Sequence, residues 1–180
     1  MMSVADIEIE KIKNNIRDIP DFPKKGIVFK DITPVLRDPE LLKLSIEKIK
    51  NLLAHQEIDY VVGIESRGFI FGSALAVALG TGFIPVRKPG KLPYLKKSIS
   101  YSLEYGEDTL EIHEDAIEKG KKVVIIDDLL ATGGTASATF ELLSSMGAIV
   151  VEAVFLIELE ALKGRERLSA CKVTSLISYQ

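Results

Sequence analysis

Two adjacent carboxylates, Asp127 and Asp128, close the apolar run Val123-Val-Ile-Ile, and Leu-Leu-Ala-Thr-Gly-Gly-Thr135 follows them. An apolar run of this kind predicts a strand, and ligands of open α/β sheets bind beyond the carboxyl ends of strands. Between Ala131 and Thr135 several backbone N–H groups can converge on one oxyanion. Gly133 and Gly134 carry no Cβ to block its approach. Thr132 and Thr135 add hydroxyl donors, and the start of the next helix adds its positive dipole end. The segment Ala131, Thr132, Gly133, Gly134, Thr135 is therefore a candidate phosphate cradle. Asp127 and Asp128 would repel that phosphate, and suit hydroxyl groups such as a ribose diol, or a metal. Phosphate plus diol suggests a ribose 5-phosphate. The segment lacks Gly-Lys-Ser/Thr, which excludes a nucleotide-triphosphate P-loop, and no Gly-x-Gly-x-x-Gly follows a strand as a dinucleotide fold needs.

A second cluster is Glu65-Ser66-Arg67-Gly68, again placed after a predicted strand and before a predicted helix. The planar fork of Arg67 suits phosphate oxygens. Further on, Arg87, Lys88, Lys91, Lys96 and Lys97 put five positive charges into 11 residues without one acid. Pro89, Gly90 and Pro93 prevent regular structure there. Such a loop can meet a polyanion such as pyrophosphate, or it can simply be a solvated charge run. His55 and His113 stand apart, with no Cys/His spacing for structural zinc. Cys171 reads as a small packed hydrophobe.

These groups need a scaffold. Short β-branched runs at Tyr60–Ile64, Phe83–Val86, Val123–Ile126, Ile149–Ile157 and Val173–Ile177 predict strands buried on both faces. Helices are expected at about 68–79 and 136–146, and from Asp38-Pro39-Glu40, a helix start, to about His55. Residues 3–18 show a rough helical spacing, and Ile19 to Ile27 reads as an extended loop. Strand and helix alternate, so the class is α/β with a mainly parallel sheet of about five strands and helices on both faces. Ser98 to Tyr105 alternates polar and apolar instead, and Gly106-Glu-Asp reads as a turn, which predicts an antiparallel flap.

The chain has 180 residues, 47% of them hydrophobic and 27% charged, which fits one globular domain. Its 23 basic and 26 acidic residues leave a charge of −3, which argues against nucleic acid as a partner. Gly68 to Val86 is 19 residues without a charge, close to the roughly 18 of a membrane span. Gly80-Thr81-Gly82 divides it, so a buried helix, a turn and a strand are expected, with no membrane partner. The acidic N-terminus does not read as a signal peptide. A single cysteine fits a reducing, cytoplasmic setting.

The acidic pair followed by Ala-Thr-Gly-Gly-Thr resembles the phosphoribosyl pyrophosphate motif of the type I phosphoribosyltransferases. Asp21-Phe-Pro-Lys-Lys-Gly-Ile-Val-Phe-Lys-Asp-Ile-Thr-Pro34 resembles the purine-covering segment of the adenine enzymes in that family. Gly63-Ile-Glu-Ser-Arg-Gly-Phe-Ile-Phe-Gly72 is similar to their pyrophosphate loop. Pro85 to Pro93 and Tyr101-Ser-Leu-Glu-Tyr-Gly106 are similar to their mobile catalytic loop. These matches run from about residue 20 to 147.

The resemblance implies one domain over 1–180, with an N-terminal hood at 1–35 and a mobile loop at 87–106. It implies adenine and phosphoribosyl pyrophosphate as substrates, AMP and pyrophosphate as products, magnesium carried by the phosphates, and a homodimer. Glu65, Ser66, Arg67, Arg87, Lys88 and Lys91 would bind pyrophosphate, with a cis peptide before Ser66 and Arg87 reaching a neighbouring subunit's site. Glu104 would manage the proton of the purine imidazole ring, and Tyr105 would help close the loop. Val28, Phe29 and Lys30 would bind adenine: Phe29 by stacking, and the backbone near Val28 by reading the amino group and the adjacent ring nitrogen. Lys30 stands where the family often has Arg, and lacks the guanidinium fork. A 6-oxopurine or xanthine phosphoribosyltransferase is the nearest rival. A non-catalytic sensor of phosphoribosyl pyrophosphate is the rival of another class, and about 20 residues before the first match are too few for a helix-turn-helix module.

Overall fold

The computed structural model describes residues 3–103 and 106–180. Two compact units are distinguished, residues 1–48 and 49–180.

In the first unit, α1 (Val4–Lys13) starts at a reciprocal cap. The Ser3 hydroxyl accepts from the Asp6 N–H, and the Asp6 carboxylate accepts from the Ser3 N–H. Strands β1 (Arg17–Pro20) and β2 (Val28–Asp31) form an antiparallel hairpin with Arg17 opposite Asp31 and Pro20 opposite Val28. The expected extended loop is thus shorter, because Ile19 and Pro20 pair as strand. Its tip is turned by Asp21, whose carboxylate accepts from the Gly26 N–H at 2.7 Å. Helix α2 (Thr33–Arg37) follows, then α3 (Pro39–Leu52), which runs on past the end of this unit at Lys48. At its start the Asp38 carboxylate accepts from the N–H groups of Glu40 and Leu41, the cap its sequence predicts.

The second unit is built on five parallel strands: β3 (Tyr60–Ile64), β4 (Gly82–Val86), β7 (Lys122–Leu130), β8 (Ile149–Leu159) and β9 (Val173–Tyr179). Their order is β4-β3-β7-β8-β9. Helix α4 (Gly68–Leu79) connects β3 to β4, and α5 (Gly134–Ser145) connects β7 to β8. The two crossovers lead away from each other, so with the right-handed sense of such connections α4 and α5 cover opposite faces. The divergence point lies between β3 and β7, and the crevice at their carboxyl ends is where this architecture binds ligands. The buried cluster includes Val62, Ile64, Val123, Ile125, Leu142 and Phe155. The uncharged stretch from Gly68 folds as the helix, turn and strand expected of it, and among the described residues no helix is long and apolar enough to cross a membrane.

β5 (Lys96–Leu103) and β6 (Gly106–His113) form the antiparallel flap as a separate two-stranded sheet. Gly106, Glu107 and Asp108 pair as strand opposite Leu103, Ser102 and Tyr101, rather than forming the turn expected of them. Its base is tied to the main sheet, because Arg87 and Glu111 exchange both backbone hydrogen bonds, at 2.9 and 2.8 Å. Leu110 and Ile112 on β6 reach the core cluster.

β7 is longer than its apolar run suggests. Its pairing with β3 ends at Gly63 opposite Ile126, but its pairing with β8 continues to Leu130 opposite Glu158. Asp127 and Asp128 therefore stand within a strand that projects past the end of β3. Leu129 and Leu130, paired with the long β8, carry the strand beyond the acids.

Candidate active site

The carboxyl end of β7 gathers the first group. Asp128 is buried, and the Arg67 Nε lies 2.8 Å from its Oδ2. Asp127 is half-buried, and its Oδ1 accepts from the Asp128 N–H at 2.9 Å. A side chain on Gly68, the first residue of α4, would stand 2.8 Å from Asp127 Oδ1 and from the Ile126 carbonyl oxygen. Glycine is thus required there so that α4 can begin against β7. Burial, and then the neighbouring Asp128 charge, push the Asp127 carboxyl well above the usual carboxylate range. Burial raises Asp128 as well, against the opposing pull of Arg67. Two acids held this way are ready to exchange their mutual repulsion for hydroxyl hydrogen bonds.

Ala131 to Thr135 then turn into α5. Gly133, with φ +78°, is the helix N-cap, and the Gly133 carbonyl accepts the Ser137 N–H at 2.9 Å. A cavity of about 90 Å³ is lined by Asp127 and by residues 129–136. Sites for drug-sized ligands run to roughly 300–1,000 Å³, so this one suits a single oxyanion group. Gly164, in the second of two 3₁₀ turns between β8 and β9, packs against the backbone of the residues that line it. A side chain on Gly133 would collide with the Gly164 carbonyl, and one on Gly164 with the Ala131 carbonyl. Backbone rests directly on backbone there, which only glycine permits. Nothing in the local sequence of Gly164 signals a partner more than thirty residues away.

The second group surrounds Glu65, at the end of β3, where the Glu65–Ser66 peptide is cis as the resemblance implies. The Glu65 side chain is buried, and accepts from Arg87 Nε at 3.2 Å, from the Lys88 N–H at 3.0 Å and from Lys91 Nζ. Burial alone would raise its pKa, but these donors, Lys91 foremost, hold it below the usual range. Glu65 thus assembles the cations an anion would meet, while being unsuited to touch that anion itself. Arg87 also donates to the Lys91 carbonyl at 3.2 Å. The cationic loop is anchored a second time at buried Glu111, which accepts from the Gly90 N–H at 3.1 Å and from Lys96 Nζ at 2.9 Å.

Lys88 belongs to a network that links the flap to the phosphate cradle. Its ammonium pairs with Asp108 and donates to the Tyr101 hydroxyl at 3.2 Å. Tyr101 in turn donates to Asp108 at 3.1 Å and shares a 3.1 Å hydrogen bond with the Thr135 hydroxyl. Burial works against the charge on Lys88, but Asp108 and Tyr101 outweigh it and raise its pKa, while Asp108 is held low. Sequence reasoning missed Tyr101, Asp108 and Glu111. The alternation of the flap strands marks which residues share a face, not which distant loop that face meets.

Val28, Phe29 and Lys30 lie on β2 in the first unit. Val28 is exposed, Phe29 meets Phe22 edge-to-face at 5.2 Å between centroids, and Lys30 Nζ lies 2.7 Å from Asp18 Oδ1. Glu104 and Tyr105 lie outside the described residues. Cys171 is half-buried, and burial pushes its thiol up to about 11, as befits a packed hydrophobe.

A family model described as "Phosphoribosyl transferase domain" matches residues 32–179. The chain is 57% identical over 167 residues to an adenine phosphoribosyltransferase of Halothermothrix orenii, covering 93% of this chain and 98% of that relative. The crystal structure of an adenine phosphoribosyltransferase from Thermoanaerobacter pseudethanolicus is similar with a TM-score of 0.93 and 54% identity, over 95% of this chain and 99% of that one. A Saccharomyces cerevisiae adenine phosphoribosyltransferase, complexed with an imino-altritol bisphosphate and adenine, is similar with a TM-score of 0.90 and 42% identity, over 94% and 98%.

Proposed function

The chain belongs to the phosphoribosyltransferase family, and we infer that it serves purine salvage as a member of the adenine branch. It is a transferase that moves the phosphoribosyl group of phosphoribosyl pyrophosphate to adenine, giving AMP and pyrophosphate. The observation that carries this reading is one continuous segment. Asp127 and Asp128 stand at the divergence point of the sheet, Arg67 is 2.8 Å from Asp128, and the glycine-lined cradle of 131–135 follows at once.

In the mechanism we propose, the cradle amides and the Thr132 and Thr135 hydroxyls hold the 5-phosphate while Asp127 and Asp128 hold the ribose diol. The ring is then fixed while the bond from its anomeric carbon to pyrophosphate breaks and a bond to the purine nitrogen forms from the opposite face. That carbon develops oxocarbenium character, and the leaving oxygens gain charge. Ser66 with Arg67, Arg87, Lys88 and Lys91 stabilises that charge. Pyrophosphate takes the cations over from Glu65 and Asp108, which hold them in the free chain. For the base we propose Val28, Phe29 and Lys30, with Glu104 managing the purine proton and Tyr105 helping closure. Residues 87–106 act as the moving loop of one catalytic domain over 1–180, excluding water that would otherwise capture the cation.

Magnesium arrives in this reading with phosphoribosyl pyrophosphate. Among the described residues no group of three His, Cys, Asp or Glu side chains is placed to hold a metal ion. Magnesium keeps several waters and binds substrate phosphates, so few direct protein ligands are expected and Asp127 and Asp128 are left to the ribose diol. When bound it supplies charge neutralisation on the phosphates.

We also propose a homodimer in the cytoplasm. Its support is α4, an uncharged helix whose Val77 is 83% exposed and whose Ile70 is exposed on the same face. A helix apolar all round calls for cover on every side.

The test is incubation with phosphoribosyl pyrophosphate, magnesium and equal amounts of adenine, hypoxanthine and guanine. AMP as the sole nucleotide is expected. IMP or GMP would overturn the base assignment, and bound phosphoribosyl pyrophosphate without any product would favour a sensor.

A further inference from the structure

We propose that Arg167, in the turn between β8 and β9, is a direct ligand of the 5-phosphate of the phosphoribosyl group. The inference rests on the reading of Ala131–Thr135 as the 5-phosphate cradle. Arg167 Nη1 lies 3.4 Å from the place a Cβ on Gly134 would occupy, beside the first residue of α5. A guanidinium is out of place there. The amino end of a helix carries a positive partial charge that favours anions and disfavours cations. The first turn of α5 holds no acidic residue to compensate. Arg17, Arg67, Arg87 and Arg165 each have a carboxylate partner. Arg167 has neither hydrogen bond nor ion pair to any described residue. A cation set against the positive end of a dipole, without its own anion, is relieved by an anion bound between the two. Gly134, beside which Arg167 lies, lines the cavity of the 131–135 cradle, where an anion would bind.

The position of Arg167 is not left to a floppy turn. Two residues earlier, Arg165 is clamped to buried Glu158 by two parallel hydrogen bonds of 2.6 Å, and donates also to the Val173 carbonyl at 2.6 Å and to the Ser175 hydroxyl at 3.2 Å. One residue before that, Gly164 lies directly against the cradle backbone. The turn that presents Arg167 is therefore tied to β8, to β9 and to the cradle itself. Arg167 is exposed and makes none of these structural bonds, so the fold is expected to survive its removal.

The test is calorimetric binding of ribose 5-phosphate, and separately of magnesium pyrophosphate, to the full chain and to Arg167→Ala and Arg167→Lys. Loss of a charge-assisted hydrogen bond weakens binding by roughly tenfold or more. The expected result is that loss for ribose 5-phosphate in Arg167→Ala, an intermediate value in Arg167→Lys, and unchanged pyrophosphate affinity. In turnover, KM for phosphoribosyl pyrophosphate rises with kcat retained. Wild-type affinity for ribose 5-phosphate in Arg167→Ala overturns the proposal, and so does an equal loss for both ligands, which would mark a diffuse field effect. If the unaltered chain itself fails to bind ribose 5-phosphate, the cradle reading fails first, a result visible without any variant.

Discussion

Gly164→Ala adds one methyl group against the cradle backbone, and it tests whether the cradle depends on that contact. The added Cβ would stand 2.9 and 3.0 Å from Leu130 Cδ1 and Cγ, and would collide with the Ala131 carbonyl oxygen. Leu130 is 1% exposed and Ala131 presents backbone, so neither can swing away. Overpacking of this kind costs about 1–3 kcal/mol. For a chain of this size each kcal/mol lowers Tm by about 2–4 °C, so a fall of roughly 2–12 °C is expected. Gly164 has no left-handed φ, so no backbone strain adds to this. The collision displaces Ala131, where the cradle begins. Losing one amide bond to a phosphate oxygen, about 1.5–3 kcal/mol, raises KM for phosphoribosyl pyrophosphate roughly tenfold or more, with kcat at saturation little changed. Thermal melting with initial rates over a phosphoribosyl pyrophosphate titration reads both quantities. A variant that melts lower but keeps its KM would refute the coupling between that contact and the cradle. An unchanged Tm would refute the contact itself.

Asp127→Asn should abolish phosphoribosyl pyrophosphate binding yet stabilise the free chain at neutral pH. A carboxyl whose folded pKa is raised favours folding while protonated, and that advantage is lost as pH rises from about 4 through the folded value. The variant's Tm should therefore exceed the wild type's at pH 8, with the gap closing toward pH 4, and a gap that widens in acid would contradict the raised Asp127. Glu65, Asp108 and Glu111 have the opposite sign. Their lowered pKa values give stability at neutral pH that disappears as pH falls below about 4. The pH-dependent melting of a Glu65→Gln variant should slope less steeply than the wild type there, a slope unchanged from the wild type contradicting the lowered Glu65. Tyr101→Phe removes the hydroxyl that joins Lys88, Asp108 and Thr135. The free chain should lose about 0.5–1.5 kcal/mol in urea unfolding, and saturating phosphoribosyl pyrophosphate should narrow the gap, because a phosphate oxygen takes over the Thr135 hydroxyl. A gap unchanged by ligand would place Thr135 outside the phosphate contacts.

Much of this architecture is legible in the chain because each element carries its own signature. The short apolar run at Tyr60–Ile64, with Val61, Val62 and Ile64 β-branched, reads as a strand buried on both faces, and Asp38-Pro39-Glu40 specifies a helix start by capping chemistry alone. The cradle is legible for the same reason, since its glycines, hydroxyls and acids are contiguous. The end of β7 was not, because its length is set by pairing with β8 rather than by its own composition. Nor was the gathering of Arg87, Lys88 and Lys91 around Glu65, which joins residues more than twenty positions apart. Spacing identified the cations but not the acid that holds them. Gly164 and Arg167 are the extreme case: an ordinary charged turn in sequence comes to lie against the cradle only when β8 and β9 bring it there.

The most direct test of the site is a crystal structure of the chain with AMP. The phosphate should lie on the amides of 131–135 with the Thr135 hydroxyl turned from Tyr101 toward it, and the ribose hydroxyls should lie on Asp127 and Asp128. A phosphate seated instead among Arg67, Arg87 and Lys91, with the 131–135 cradle empty, would contradict the account.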